Sequence, residues 1–142
     1  MTVPDPGGGR PAPDPGVLRE LRTLRERFPR LAGSLVASSD GLLIAHDLPP
    51  SIEPASMAAL TTSGLALSHR MVEAAHGGAF NEVVVNGVNG YVVVYSAGPT
   101  ASLTVLAGPG VNVGRLHLES RPVARAIAEH LTSTSTRSPT GR

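Results

Sequence analysis

The chain has 142 residues, enough for one domain with its own core. It holds no cysteine, which excludes disulfides and thiolate metal or redox centres and leans towards a reducing compartment. All twelve basic residues are arginine, yet the formal net charge is only +1 and aromatics are few, so neither nucleic acid nor a base-stacking platform is expected.

The start, residues 1–15, has no apolar run of the signal-peptide kind, and no apolar run anywhere is long enough to cross a bilayer. A cytoplasmic protein without an integral membrane segment is expected, drawn to a membrane only by its partners. Residues 1–13, rich in Pro and Gly, read as a disordered tail. Asp14 is suited to cap a helix and Pro15 to open it; Val17, Leu18, Leu21, Leu24 and Phe28 then recur at helical spacing until Pro29. Arg19, Arg22, Arg25, Arg27 and Arg30 crowd this helix against Glu20 and Glu26 alone. With Arg22 and Glu26 placed four apart, the arginines read as a solvated face with a weak pull on an acidic partner or lipid surface.

From Leu31 the period shortens to two, and a second apolar run, 42–45, follows Asp40-Gly41. Two β runs joined by Asp-Gly predict a hairpin with a type I′ turn, positive in φ at both central residues. The stretch 38–47 also holds two serines, two aspartates and a histidine, the inventory of a hydrolase. The turn accounts for Asp40, and alternation separates His46 from Asp47, so an enzyme working through Asp40, His46 and Asp47 is not expected.

After Pro49-Pro50, with Ser51 or Glu53 near the cap and Pro54 in the first turn, a long helix is predicted to His76, stopped by Gly77-Gly78. Met57, Leu60, Gly64, Leu67, Met71 and Ala74 fall at alternating three and four spacing. Ala58, Leu65, Val72 and Ala75 widen this face to roughly 200°, against the ~100° stripe of a helix with one buried side. Such a helix has more to hide than one sheet covers, and its polar arc of Thr62, Ser63, His69, Arg70 and Glu73 makes the rim of an interface.

Three valine-rich strands follow, 80–86, 91–96 and 101–107, joined by short polar hairpins into an antiparallel meander. Val83, Val84 and Val85 make the first of them apolar on both faces, with no lysine or proline to guard it as an edge. The last element spans about 111 to 130, with Val113, Leu116, Val123 and Ile127 on one face; Pro122 predicts a kink or restart near Ser120. Residues 132–142 read as a second disordered tail. The domain expected over 14–131 is therefore α+β, a five-stranded antiparallel sheet with helices on its faces in the order α-β-β-α-β-β-β-α.

Chemistry-bearing motifs are missing. A chain without lysine has no Walker-type loop, and neither His-Glu-x-x-His nor Gly-x-Ser-x-Gly occurs. His69 and His76 lie about 10 Å apart along one helix, too far to share an ion. Residues 108–114 have one residue too many for Gly-x-Gly-x-x-Gly, and Pro109 removes a donor, so they read as a strand-to-helix turn. No catalytic residue, cofactor or metal is expected.

The ordered set of "SLVASSDGLLIAHDL", the Ala-rich central helix, "EVVVNGVNGYVVVY", "LTVLAGPGVNVGRL" and "VARAIAEHL" resembles the bacterial Roadblock family, relatives of Roadblock-type dynein light chains. It is particularly similar to small actinobacterial members encoded beside a sensor-kinase-like protein and a Ras-like GTPase. The resemblance implies a Roadblock/profilin-like fold with sheet order 2-1-5-4-3, and homodimers that join edge strands while their central helices pack together. It implies a non-catalytic regulator or scaffold that binds a small Ras-like GTPase and modulates its nucleotide cycle by reshaping the GTPase's own switch regions. On this chain the dimer contact falls on Met57, Leu60, Gly64, Leu67, Met71, Val83, Val84 and Val85. His69, Arg70 and Glu73 are the candidate GTPase contacts, and acceleration, inhibition and tethering all fit them. The alternative is a small-molecule sensor with a pocket between sheet and helices, gated by Gly77-Gly78; few aromatics and no convergent polar cluster count against it.

Overall fold

α1 (Pro15–Arg27) begins where Asp14 places one carboxylate oxygen against the N–H groups of Gly16 (2.9 Å) and Val17 (3.1 Å), satisfying two donors that a helix start leaves open. The computed structural model describes residues 13–136; most of the two expected tails, 1–12 and 137–142, lies outside the described residues. The same Asp14 oxygen lies 2.9 Å from His130 Nε2, which fastens the start of α1 to the last helix. Gly16 permits this approach, because a Cβ there would collide with the His130 ring. Val17, Leu21 and Leu24 are fully buried. The ion pair from α1 is made by Arg25, which donates to Asp47, rather than by Arg22 to Glu26.

β1 (Leu31–Ser38) and β2 (Leu43–Asp47) form the expected hairpin with a different turn. The Gly41 N–H donates to the Ser38 carbonyl at 2.9 Å, so Ser39 and Asp40 are the central pair, and neither has positive φ. Only Gly41 in this turn does, at 83°. The type I′ expectation is thereby corrected: the connection is an ordinary turn followed by a left-handed glycine that bulges.

α2 (Pro54–Ala75) crosses to β3 (Glu82–Gly87), β4 (Gly90–Ser96) and β5 (Ala101–Ala107). β3 begins at Glu82 rather than 80 and turns into β4 through Val88 and Asn89 alone, with Gly87 facing Gly90. The sheet order is β2-β1-β5-β4-β3 with every neighbouring pair antiparallel. Alternation sorts the strand side chains onto two faces. Val36, Val93, Tyr95, Leu103 and Val105 pack into the larger core, with buried residues of α1 and of the last helix. On the opposite face Leu35 and Ala37 meet Ala58 of α2 in a much smaller cluster.

α3 (Val113–Thr136) starts on Asn112, whose side-chain oxygen accepts the Arg115 N–H at 3.0 Å. It runs through Pro122 without a restart near Ser120 and on to Thr136, past the end expected near 130 and into the stretch from 132 that reads as a tail. An interior proline costs ~3 kcal/mol, and burial of Leu116, Val123, Ala124 and Ile127 on either side of it holds the helix in one piece. Tyr95 ties β4 to α3 through a 2.7 Å hydrogen bond to His117 Nδ1, and burial pushes its phenol up to about 12.

Burial alone pushes the Asp14 carboxyl up, but the Val17 N–H, the hydrogen bond and charge of His130 and the Gly16 N–H outweigh it and hold the pKa below 3.8. A depressed folded pKa means a contribution to stability that is present above the unfolded value and is lost as pH falls through the folded one. Asp14→Ala is therefore expected to cost about 1 to 2 kcal/mol in urea denaturation at neutral pH. The gap from wild type should narrow as the pH drops below about 4.

Candidate functional site

α2 has inverted amphipathicity. Glu53 caps its start by accepting the N–H groups of Ala55 (3.3 Å) and Ser56 (2.8 Å), and Pro54 occupies the first position. The side turned to the sheet buries Ala58, Thr61 and Ser68, with Leu65 half-buried between the last two and Val72 half-buried one turn further on. The larger apolar side chains lie on an outer flank: Leu60 is 67% exposed, Leu67 58% and Met71 64%. Gly64 sits amid this flank, and a Cβ built there meets nothing within 4 Å. Glycine inside a helix costs ~1 kcal/mol relative to alanine, and nothing in the protomer needs it here. Met57, expected on this flank, turns inward instead and packs half-buried against Leu35, Ala37 and Ala58.

The second element of the site is β3, which pairs with β4 and leaves its other edge open. Arg121 of α3 grips Glu82 with two donors, Nε at 3.2 Å and Nη2 at 2.7 Å. Glu82 therefore faces α3, and alternation puts Val84 on that same side and Val83 and Val85 on the α2 side. Val84 and Val85 are exposed and Val83 is half-buried, so the edge offers apolar surface on both faces.

In the polar arc of α2, His69, Arg70 and Glu73 are all exposed, and His69 also stacks on Phe80, ring planes 5° apart and centroids 5.7 Å apart. His69 and Phe80 border a cavity of about 410 Å³ between α2, the β4–β5 loop and the end of β1. Ser38, Thr62, Ser96 and Ser102 are among its lining residues, which include no Lys, Arg, Asp or Glu; the Ser38 hydroxyl accepts the Leu42 N–H, and those of Thr62 and Ser96 donate to Ser38 O and Gly98 O. Ser102 is 3% exposed and its hydroxyl has no hydrogen-bond partner; Thr104, fully buried on the same sheet face, has none either. The lining comes from four separate segments, which no local pattern connects.

Asp40, His46 and Asp47 are not brought together. Asp40 is exposed in its turn, Asp47 pairs with Arg25 on the α1 side, and His46, opposite Leu35, faces the α2 side. Among the described residues no group of three His, Cys, Asp or Glu is placed to hold a metal, and no helix is long and apolar enough to cross a membrane.

The sequence model of the Roadblock/LC7 domain matches residues 18–107, from α1 to the end of β5. The chain belongs to the Roadblock/LC7 family. A protein of Methanocaldococcus jannaschii is 27% identical over 97 residues, 68% of this chain and 84% of its own. The solved Roadblock/LC7 domain from Streptomyces avermitilis is 26% identical, with a TM-score of 0.72 over 80% of this chain and 96% of that one. Myxococcus xanthus MglB, 15% identical, shares the fold at a TM-score of 0.75, over 82% of this chain and 95% of its own. The Roadblock/LC7 match ends before α3 begins.

Thr104 offers a test of how the α2 side of the sheet is built. Removing a buried hydroxyl without a partner, at nearly constant shape, is expected to stabilise the fold by about 1 kcal/mol. Thr104→Val should therefore raise the urea midpoint, and a lower midpoint would mean that the hydroxyl is satisfied in solution.

Proposed function

We propose that this chain is a non-catalytic homodimeric regulator or scaffold that binds a small Ras-like GTPase and modulates its nucleotide cycle in a bacterial signalling complex. The observation that carries the reading is Gly64, a costly residue in an exposed helix flank between Leu60 and Leu67. Two α2 helices crossing at Gly64 would approach closely and bury Leu60, Leu67 and Met71 of both protomers, each worth about 1.5 to 3 kcal/mol when fully covered. Antiparallel pairing of two β3 edges would satisfy the open backbone groups and cover Val84 and Val85. Met57 and Val83 would contribute at the margins, where their half-burial puts them.

Such a pairing sets the outer arcs of the two α2 helices side by side, so that His69, Arg70 and Glu73 are presented twice on one composite surface. This is where the GTPase would dock. Arg70 lies on a regular helix rather than a reaching loop, so it binds rather than inserting into the nucleotide site. A sensor-kinase-like protein of the same gene cluster is the upstream partner in this reading. The complex works in the cytoplasm and reaches the membrane through its partners.

Leu67→Arg should convert the dimer to monomer in light scattering while leaving the far-ultraviolet spectrum intact. Gly64→Ala separates the two views of the glycine: a free flank would gain ~1 kcal/mol of helix stability at every protein concentration. A packed flank would instead show weaker dimerisation, and a stable lone molecule in wild type would end the proposal. GTP turnover by the Ras-like GTPase encoded nearest this chain's gene should respond to the wild-type protein. Arg70→Ala should weaken binding and leave turnover in the saturated complex unchanged, whereas an arginine finger would lose ~10³-fold.

The unpartnered Ser102 hydroxyl on the wall of the 410 Å³ cavity favours a second reading, a sensor for a small uncharged polar ligand. A neutral metabolite that raises the melting temperature of wild type but not of Ser102→Val would support it.

A further inference from the structure

Three arginines that the sequence scatters over distant segments converge on one cavity. Arg27 closes α1, Arg30 precedes β1, and Arg115 stands in the first turn of α3; together they line a hollow of about 320 Å³. Its apolar wall is Phe28, 7% exposed, with Val111 half-buried beside it. No Asp or Glu lines this cavity. Among the described residues, Arg25 is paired with Asp47 and Arg121 with Glu82, but Arg27, Arg30 and Arg115 make no ion pair. Three like charges in one concavity repel one another, and the concavity focuses their field on whatever enters. Among the lining residues the one side-chain acceptor, Asn112 Oδ1, is already taken by the Arg115 N–H at 3.0 Å.

We propose that this cavity is an anion site for a phosphate-type group. A lone carboxylate is satisfied by one bidentate guanidinium, whereas three forks around one hollow match the several oxygens and multiple charge of a phosphate. The apolar wall accommodates carbon attached to that group. The anion has two possible carriers, a small soluble phosphate compound or the headgroup of a lipid. The second gains support from Val88, 95% exposed at the β3–β4 hairpin tip. That tip lies at the same end of the sheet as the cavity, since Gly87 faces Gly90, and Tyr91 and Leu31 both pair with Ala107. A basic hollow beside a protruding apolar side chain is the layout of a surface that meets anionic lipid. This site lies apart from the α2 flank and does not depend on dimerisation or on a GTPase.

The test titrates the full chain with sodium pyrophosphate at constant ionic strength, following backbone amides by NMR. It also measures co-flotation with vesicles of phosphatidylcholine, with or without phosphatidic acid. Saturable pyrophosphate binding is expected, with shifts confined to residues around 27–30 and 110–115. Arg27→Ala, Arg30→Ala and Arg115→Ala should each weaken it by about tenfold. Arg125→Ala removes the same charge from an exposed site outside the cavity and should change nothing. All four positions are solvent-exposed, and unchanged melting curves confirm that the variants fold. Pyrophosphate binding without flotation assigns a soluble carrier; flotation that needs phosphatidic acid and is lost in the same three variants assigns a headgroup. The proposal is overturned if wild type binds neither probe saturably, or if Arg125→Ala weakens binding as much as the cavity variants do.

Discussion

The arrangement depends on one constraint: α2 turns its small and hydroxyl-bearing side to the sheet and its large apolar side away from it. A single amphipathic helix on a half-covered sheet normally does the reverse. Ala58, Thr61 and Ser68 bring the helix close to the strands, and Thr61 satisfies its own hydroxyl by donating to Met57 O at 2.9 Å. The close approach leaves Leu60, Leu67 and Met71 with no neighbour to cover them. Stability therefore cannot explain why these residues are large, and a partner can.

The two faces of the sheet follow from the same constraint. Under α1 and α3 the packing is continuous, with Leu21, Leu24, Val93, Leu103, Leu116 and Ile127 all fully buried. Under α2 the fully buried cluster is only Leu35, Ala37 and Ala58; half-buried Leu43, Leu48 and Met57 pack against it, and hydroxyls, some of them without partners, lie beside it. Apolar contact on that side is too thin to fix α2 as firmly as α1, since burial is the main stabilising term. A firm scaffold on one face and a lightly held helix on the other suits an element whose position is completed by another molecule.

Element order and type were legible in the sequence because periodicity reports them directly, and the strand order came from the family resemblance rather than from any local pattern. What periodicity could not report was direction. A 200° apolar arc says that a helix has two apolar sides, not which one meets the sheet, and Thr61 and Ser68 hid the inward side by being polar. Met57, grouped for that reason with the outer residues by its spacing, packs half-buried on the sheet side. The Asp-Gly turn was misread because the same dipeptide serves both the type I′ turn and the turn with a bulging glycine. Pro122 was overweighted, since a local cost was judged without the burial of Val123 and Ile127 that offsets it. A pocket between sheet and helices was only a bare alternative, and the linings of both cavities were invisible: their side chains lie far apart in the chain and meet only once the sheet order is known.

The two edges of the sheet are not equivalent, and that asymmetry decides what kind of assembly an open edge permits. β2 is five residues long, Pro49-Pro50 follow it, and its Ile44 carbonyl is already taken by the Asp14 N–H at 3.1 Å. Short length, nearby proline and a covering segment are the devices that keep an edge from recruiting strands. β3, six residues long, has no adjacent proline, its outer edge is left open, and its valines face both ways. A chain with two open edges would add copies head to tail without limit. With one edge closed, the β3 edge of one copy could meet only the β3 edge of another, so any strand addition between copies would stop at a two-fold pair. The Asp14 cap that starts α1 thus also guards the far edge, and the residue that anchors the fold helps to restrict how copies join.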